Sequence, residues 1–228
     1  LSEAAIDSAR RDAEVLIRHV TGLEHVQLFT HSGQELSDSQ NERYRALIAR
    51  RAKGEPVAYL VGEKEFYALA FAVGPDVLIP RPETEILVEK AAVLAPRGAA
   101  ALEIGVGSGA VIVALAVERP DLQLFGLDIS LKALKIARAN ARRHGVAERI
   151  HLFVGDALSS VTARFPLILM NPPYIAHGEA PSLSPDVALY EPGIALFGGN
   201  DGLDVIRKVV SLAADRLLPG GRLLMECG

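Results

Sequence analysis

The chain has 228 residues, half of them hydrophobic, with a net charge of −4 and a single cysteine, Cys227. This length allows one large or two smaller domains, and no apolar segment approaches the length of a membrane span. The acidic balance argues against indiscriminate binding to a nucleic-acid backbone, although it leaves room for a local basic patch. A lone cysteine excludes a disulfide framework or a cysteine metal cluster. With no visible secretory or transit segment, it indicates a reducing, cytoplasmic setting.

The first part of the chain, up to about residue 60, is rich in alanine and arginine, with apolar residues at helical spacing. That pattern predicts a small bundle of helices. Ser37 stands at an apolar-to-polar transition and is suited to cap a helix over residues 38–51, for which Gly54 and Pro56 are stop signals. This part carries no catalytic constellation.

The sequence pattern changes from helical spacing to aromatic and β-prone residues over residues 61–79, and this predicts a β-hairpin that links two domains. From about residue 85, strand and helix patterns alternate, which predicts an α/β domain with a mostly parallel sheet covered on both faces. The predicted helices are 83–94, 109–118, 130–144 and 201–217, and the strands are 100–104, 122–127, 149–154, 166–170 and 222–226. Residues 175–200 are too many for a simple connection, and we expect them either to help form a substrate surface or to be a disordered excursion.

The tetrapeptide Asn171-Pro172-Pro173-Tyr174 is the most informative segment for function. It follows the predicted strand 166–170, and open α/β sheets bind their ligands at the carboxyl ends of strands. Each residue before a proline is held extended, and neither proline has an N–H to donate. The tetrapeptide therefore offers the Asn171 side-chain oxygen and backbone carbonyls as acceptors beside an aromatic ring, which suits a planar NH2 group. The alternative for Asn171 is a turn residue that ends the strand.

A glycine-rich turn, Glu103-Ile104-Gly105-Val106-Gly107-Ser108-Gly109, joins the first strand of the sheet to its helix. Glycines permit a tight turn and close approach of a ligand, and the helix that follows offers unpaired N–H groups. The spacing differs from the dinucleotide fingerprint, so the turn alone is a weak signal, and a glycine-rich turn without a ligand is the alternative.

Acidic residues follow the next two strands. Asp128 ends strand 122–127, where a carboxylate can accept both hydroxyls of a ribose. Its alternative is an N-cap for the next helix, a role that Ser130 could fill instead. Asp156 follows strand 149–154 and could accept from an adenine amino group, or it could be a plain turn aspartate. A glycine loop and two acids at three consecutive strand ends favour a nucleotide-type site over chance.

With these strand ends taken together, the chain resembles the S-adenosylmethionine-dependent class I methyltransferases. More closely, it resembles the protein-(glutamine-N5) methyltransferases that modify peptide chain release factors, the PrmC/HemK family. The resemblance extends over essentially the whole chain, and the segment over residues 78–85 narrows it to this family. It rests on the segments 54–56, 62–66, 78–85, 103–109, 171–174, 190–192 and 198–203.

The resemblance implies roles for individual residues. S-adenosylmethionine is the implied cofactor, and S-adenosylhomocysteine its product. The implied cofactor-binding residues are Glu103, Gly105, Val106, Gly107, Ser108 and Gly109 around the methionine and ribose, Asp128 at the ribose hydroxyls, Asp156 and Ala157 beside the adenine, and Asn171. The implied substrate-binding residues are Arg81, Thr84, Asn171, Pro172, Pro173 and Tyr174, of which Asn171, Pro172 and Tyr174 are also the candidate catalytic residues.

Three departures from the family pattern stand out. Glu103 occupies the place where the family usually has aspartate, and Val106 the place where threonine is common. Both are tolerable because that loop works mostly through its backbone. Family members also continue beyond residue 228 with a helix and two strands, so we expect a sheet without that edge, with strand 222–226 exposed.

The implied organisation is a helical substrate-docking domain over residues 1–60, a hairpin linker over 61–79 and a methyltransferase domain over 80–228. The implied partners are class I release factors, methylated on the glutamine of their Gly-Gly-Gln motif. We expect a cytoplasmic monomer with no direct contact to nucleic acid or membrane. We expect no metal site, because the six histidines are scattered without ligand spacing.

A carboxamide nitrogen is a poor nucleophile, since its lone pair is delocalised. If the Asn171 side-chain oxygen and the Pro172 carbonyl accept its two N–H groups, the lone pair can face the methyl donor, and both hydrogen bonds strengthen as positive charge develops. Tyr174 would stack on the planar amide, and no dedicated base is required.

The alternative functions are a DNA or RNA amino-methyltransferase with the same tetrapeptide, a nicotinamide-dependent oxidoreductase, and a docking module with a defunct cofactor domain.

Overall fold

The computed structural model of the chain describes residues 1, 6, 8–30 and 33–227, and only the backbone of Phe29. The α-helices are α1 (Ala9–Thr21), α2 (His25–Thr30), α3 (Asp38–Ala52), α4 (Val57–Val61), α5 (Glu85–Leu94), α6 (Ala110–Glu118), α7 (Leu131–Arg143), α8 (Pro185–Tyr190), α9 (Gly193–Leu196) and α10 (Asp204–Arg216). The strands are β1 (Glu63–Phe66), β2 (Leu69–Ala72), β3 (Ala100–Ile104), β4 (Gln123–Asp128), β5 (Ile150–Val154), β6 (Phe165–Met170) and β7 (Leu217–Met225). Short 3-10 helices cover Pro82–Thr84, Ala147–Arg149, Ala157–Ser160 and His177–Ser182.

The chain divides into two compact units. Unit 1 consists of residues 1–62 and 184–190, and unit 2 of residues 63–183 and 191–228. In the described part of the chain, no helix is long and apolar enough to cross a membrane.

Unit 1 contains α1 to α4 together with α8. Ser37 caps α3 as predicted, because its hydroxyl accepts from the backbone N–H of Gln40 while the Gln40 side chain accepts from the Ser37 N–H. Between α1 and α3, Arg51 Nε donates to Asp12 Oδ2 over 2.7 Å, and both side chains are largely buried. This ion pair joins α1 to α3.

Unit 2 holds an antiparallel β1–β2 hairpin and a five-stranded parallel sheet in the order β5-β4-β3-β6-β7. The predicted fold class is therefore confirmed. The chain starts in the middle of the sheet at β3, fills one side with β4 and β5, and then returns to place β6 beside β3. The strand order reverses between β3 and β6, and open α/β sheets bind ligands at this switch point.

Helices cover both faces of the sheet, because apolar residues on the central strands alternate between two clusters. Leu167 and Leu169 of β6 pack with α5, α6, α7 and the hairpin, whereas Ile168 and Met170 pack with α10 and the 3-10 helix Ala157–Ser160. Helix α6 is apolar on nearly its whole circumference, and its residues 110–116 all belong to the first cluster. The loops that follow β3, β4, β5 and β6 lie at the carboxyl ends of these strands.

Two predicted elements differ from the structure. Strand β7 starts at Leu217 instead of 222, because Phe165 pairs with Leu217 before a register shift brings Leu167 opposite Arg222. The Gly220-Gly221 pair in that shift is a local turn signal that hides the earlier pairing from the sequence. Residues 175–200 are an ordered connection that contains α8, α9 and a 3-10 helix, so the disordered alternative is wrong.

Candidate active site

A cavity opens at the carboxyl ends of β3, β4, β5 and β6, wholly within unit 2. It brings together most of the site residues expected from the sequence. Those that line it are Thr84, Glu103, Gly105, Val106, Gly107, Ser108, Asp128, Asp156, Ala157, Asn171 and Pro173. Four expected site residues are outside the lining: Arg81, Gly109, Pro172 and Tyr174. Each of them is next in sequence to a residue that does line the cavity. The segment over residues 76–78 and the α9 region contribute further walls.

The glycine loop, residues 105–109, wraps one side of this cavity. Gly105, Gly107 and Gly109 all have positive φ, a conformation that residues with a side chain rarely adopt. At Gly109 an added Cβ would also lie 3.0 Å from the backbone Cα of Ala137 on α7. The glycines are therefore required by backbone conformation and by the close approach of α7.

Asp128 supports the loop from the neighbouring strand. Its side chain is buried, Oδ2 accepts from the Gly107 N–H at 2.9 Å, and Oδ1 accepts from the Ser130 N–H at 2.8 Å. Ser130 is the residue that caps α7, since its hydroxyl accepts from the Ala133 N–H at 3.2 Å. The N-cap alternative for Asp128 is therefore wrong. Each carboxylate oxygen keeps a further lone pair for donors in the cavity, such as hydroxyl groups.

Glu103 is the least satisfied polar side chain of the site. It is 3% exposed, and its Oε2 has no hydrogen-bond partner among the described residues. Burial raises its pKa well above the ordinary value of 4.5; a backbone hydrogen bond from Ile112 opposes this rise, and the charge of Asp128 adds to it. A buried acceptor at a cavity wall is a natural partner for a cationic group of a ligand.

Asn171 lies directly after β6, at the switch point between the two halves of the sheet. Its Nδ2 donates to the Thr84 hydroxyl over 3.1 Å, and Thr84 is buried just before α5. Because this bond uses the amide nitrogen, it orients the Asn171 side chain and leaves Oδ1 as an acceptor. The loop after β3 is close by, since a Cβ on Gly105 would lie 4.0 Å from the Asn171 carbonyl oxygen.

The backbone of the tetrapeptide is packed against the segment over residues 198–203. A Cβ on Gly198 would lie 2.4 Å from the Pro173 carbonyl oxygen, and one on Gly202 would lie 2.1 Å from that of Tyr174. Both glycines are thus required by close approach of two backbones. The Tyr174 side chain remains 40% exposed, which leaves its ring accessible to a large substrate.

Arg81 is engaged with a residue that the sequence alone did not single out. Its guanidinium donates to Glu191 Oε1 at 2.5 Å, while Glu191 Oε2 accepts from the Ile79 N–H at 3.1 Å. The Glu191 side chain is only 1% exposed. This pair ties the segment before Thr84 to the start of α9, which borders the cavity. The only sequence signal for Glu191 was its place in Tyr190-Glu191-Pro192, one of the segments on which the family resemblance rests.

Asp156 and Ala157 lie at the far end of the cavity, after β5. The Asp156 carboxylate pairs with Lys208 of α10 at 2.5 Å, and both side chains are largely exposed. Ala157 has φ +49°, an unusual conformation for a residue with a Cβ, and its side chain is buried. The backbone turns sharply here, and the Asp156 N–H is satisfied by Ser160 Oγ at 2.9 Å.

Comparison with known proteins agrees with this geometry. The family model described as PrmC N-terminal domain matches residues 1–62, and the model described as Methyltransferase small domain matches residues 82–189. The release factor glutamine methyltransferase of Geobacter sulfurreducens is 44% identical over all of this chain and 80% of its own length. That of Cereibacter sphaeroides is 43% identical over all of this chain and 81% of its own.

Among solved structures, the chain is similar to the ribosomal protein L11 methylase of Lactobacillus delbrueckii subsp. bulgaricus. The identity is 18% over 67% of this chain and 64% of that chain, with a TM-score of 0.47.

The parallel sheet, its strand order and the matched methyltransferase domain define a class I methyltransferase. The sequence identity of 43–44% to the two relatives, over all of this chain, indicates a particular family within that class. The chain belongs to the release factor glutamine methyltransferases, as the resemblance in its sequence predicted.

The raised pKa of Glu103 has a measurable effect on stability. Above about pH 4.5 the unfolded chain has lost this proton, while the folded protein keeps it up to its raised pKa. The free energy of unfolding should therefore fall as pH rises from the ordinary value through the raised one. Glu103→Gln cannot ionise, so chemical denaturation across pH should show a stability gain over the wild type that grows with pH. A gain that stays constant would mean that the Glu103 pKa is not raised.

Proposed function

We propose that this protein transfers a methyl group from S-adenosylmethionine to the side-chain amide nitrogen of the glutamine in the Gly-Gly-Gln motif of peptide chain release factors. The observation that carries the proposal is the shared cavity, which joins a nucleotide-type loop to the oriented carboxamide of Asn171. The family of the chain supports the same reaction. Since release factors act in translation, the reaction belongs to the cytoplasm.

The cofactor end of the cavity comprises the glycine loop, Asp128 and the turn at Asp156 and Ala157. S-adenosylmethionine would supply an activated methyl group on a sulfonium centre. The backbone of the glycine loop suits close approach of the methionine and ribose, and Asp128 keeps acceptor capacity for the ribose hydroxyls. Glu103 offers a buried oxygen that has no partner in the described part of the chain, and this suits the ammonium of the methionine moiety. At the adenine end, Ala157 forms a buried apolar wall.

The substrate end is the tetrapeptide. Asn171 Oδ1 accepts one N–H of the substrate amide, and the Pro172 carbonyl accepts the other. Thr84 keeps the Asn171 side chain in this orientation because it accepts from Nδ2. As positive charge develops on the substrate nitrogen, both acceptors bind it more tightly, and this lowers the barrier. The exposed Tyr174 ring stacks on the planar amide.

Arg81 acts through Glu191 in this proposal. The ion pair is mostly buried and holds the segment that carries Thr84 beside the α9 region. Such a pair is costly to break by removing one partner, because the other charge is then left without compensation. Arg81 is therefore proposed as a positioning residue for the substrate end. This role differs from the direct contact with the substrate that was expected from the sequence.

A direct test is incubation with a purified release factor and labelled S-adenosylmethionine, followed by mass mapping of the methyl group. Label on the glutamine of the Gly-Gly-Gln motif supports the proposal. Label on DNA or RNA in parallel reactions, with salt-sensitive binding, would instead support the nucleic-acid alternative.

Asn171→Ala removes an acceptor that is needed most when charge develops. The methylation rate at saturating substrates should fall at least about a hundredfold. The affinity for S-adenosylhomocysteine, measured by calorimetry, should stay within about threefold of the wild type. Asn41→Ala, at an exposed asparagine on α3 outside the cavity lining, is the matched control and should keep the full rate at saturating substrates. Equal losses of activity and cofactor affinity in Asn171→Ala would contradict the assignment.

Thr84→Val keeps the shape of the side chain but removes the acceptor for Asn171 Nδ2. Loss of one hydrogen bond costs about 1 kcal/mol, so the turnover rate should fall roughly five- to tenfold, less than in Asn171→Ala. Thr84→Ser retains the hydroxyl and should stay near the wild type. A wild-type turnover rate in Thr84→Val would show that this bond does not orient Asn171.

The helical segment that precedes the hairpin is the proposed docking site for the release factor. Deletion of residues 1–62 should raise KM for the release factor by about tenfold or more, because contact area outside the reacting glutamine is lost. Retained affinity for S-adenosylhomocysteine would show that unit 2 remains folded. An unchanged KM in a truncated protein that binds cofactor would exclude this docking role.

A further inference from the structure

Asn140 is a fully buried asparagine on the inward face of α7, and the mechanism above makes no use of it. Its Oδ1 accepts from the Ala72 N–H at 2.8 Å. Its Nδ2 donates to the carbonyl oxygens of Ala72 at 3.0 Å and Ser108 at 2.8 Å. One N–H group and two carbonyls face the amide, so only one of its two orientations satisfies all of them.

These partners belong to separate parts of unit 2. Ala72 is the last residue of β2, where the hairpin pairs it with Glu63. Ser108 is a buried residue of the glycine loop and lines the cavity. One carboxamide therefore holds the end of the hairpin and the loop of the proposed cofactor site at the same time.

Helix α7 supports the two parts at successive turns. Ala137, one turn before Asn140, lies so close to Gly109 that a Cβ there would approach within 3.0 Å. His144, one turn after it, has Nε2 within 2.8 Å of the Ala70 carbonyl, and its ring packs against Phe71. Of these three residues, His144 contacts the hairpin, Ala137 lies against the loop, and Asn140 bonds to both.

The hairpin also leads back to the cavity. After β2 the chain continues into Asp76 and Leu78, both of which line the cavity, and Asp76 pairs with Lys132 of α7 at 3.0 Å. A hairpin that leaves α7 would disturb this part of the cavity lining, and a loop that leaves α7 would disturb the part formed by residues 105–108. Asn140 is placed to prevent both movements.

We propose that Asn140 is a positioning residue that holds the glycine loop in its binding conformation and couples it to the β1–β2 hairpin. The inference rests on the proposed use of S-adenosylmethionine as cofactor. Cofactor affinity then depends on the hydrogen bonds of Asn140, because only the fraction of molecules with an ordered loop can bind. Coupling between two sites is reciprocal, so bound cofactor also stabilises the Ala72 end of the hairpin.

Calorimetric titration with S-adenosylhomocysteine tests the proposal on the full chain. Asn140→Ala leaves three backbone groups without their partner, and its Kd should rise about tenfold or more. Turnover at saturating cofactor should stay within about threefold, since the residues that contact the substrate are unchanged. Asn140→Ser is a milder variant for the case in which the alanine variant fails to fold, and its Kd should rise by a smaller factor.

His144→Ala is the matched control on the same helix. It removes the contact to Ala70 and Phe71 but leaves Ser108 untouched, so it should lower the melting temperature while Kd stays within about twofold of the wild type. Equal rises in Kd for the Asn140 and His144 variants would overturn the proposal, because they would reflect general loss of stability. Wild-type affinity in a folded Asn140 variant would overturn it as well.

Amide exchange of the wild-type protein gives a second readout that needs no variant. S-adenosylhomocysteine should slow hydrogen exchange of the Ala72 amide several-fold. The Tyr67 amide, which donates to Glu85 at the other end of the hairpin, should be slowed by a smaller factor. Unchanged exchange at Ala72 would overturn the coupling alone. If the wild-type protein does not bind S-adenosylhomocysteine at all, the proposed cofactor fails, and this inference fails with it.

Discussion

The adjacency of β3 and β6 is the constraint on which the rest of the molecule depends. Both strands are central, yet the chain leaves them in different directions, so their carboxyl ends leave a gap between the following loops. The glycine loop enters this gap from β3 and Asn171 enters it from β6. Two chemically different ends of one cavity are thereby brought together by the topology of the sheet alone.

Buried polar side chains hold the loops around this gap. Asp128 fixes the Gly107 amide, Asn140 fixes the Ser108 carbonyl, and Thr84 fixes the Asn171 side chain. Burial of such groups is costly without partners, so each of these bonds also limits the conformations that the loop can adopt. The walls of the cavity are consequently held in place by hydrogen bonds within unit 2.

The sequence predicted the elements well where the signal is local. The helical and strand periods located the sheet strands to within a residue or two, except β7, and the cap at Ser37 followed from residue type alone. The strand ends indicated the chemistry of the cavity because a glycine loop and two acids follow three consecutive strands, although each of them alone has a structural alternative. Arg81 and Thr84 were singled out only through the family resemblance.

Partners that are distant in sequence could not be predicted from the chain. Glu191 pairs with Arg81 from 110 positions away, and Asn140 reaches Ala72 from 68 positions away. Asn140 carries no local pattern that distinguishes it from a helix residue with a solvated side chain, and the place of Glu191 in the segment 190–192 does not reveal its partner. Likewise, the need for glycine at 198 and 202 becomes evident only once the tetrapeptide backbone is seen to pass beside them.

The Glu103 carboxyl, whose Oε2 has no hydrogen-bond partner among the described residues, couples its own protonation to any cation that binds beside it. With its pKa raised by burial, the carboxyl holds a proton over a pH range in which an ordinary glutamic acid has lost it. A cation that settles against that oxygen favours the ionised form, so its arrival expels the proton into solvent. Below the raised pKa, binding of a cation at this oxygen would therefore release a proton, and the heat of binding would depend on the buffer that takes the proton up.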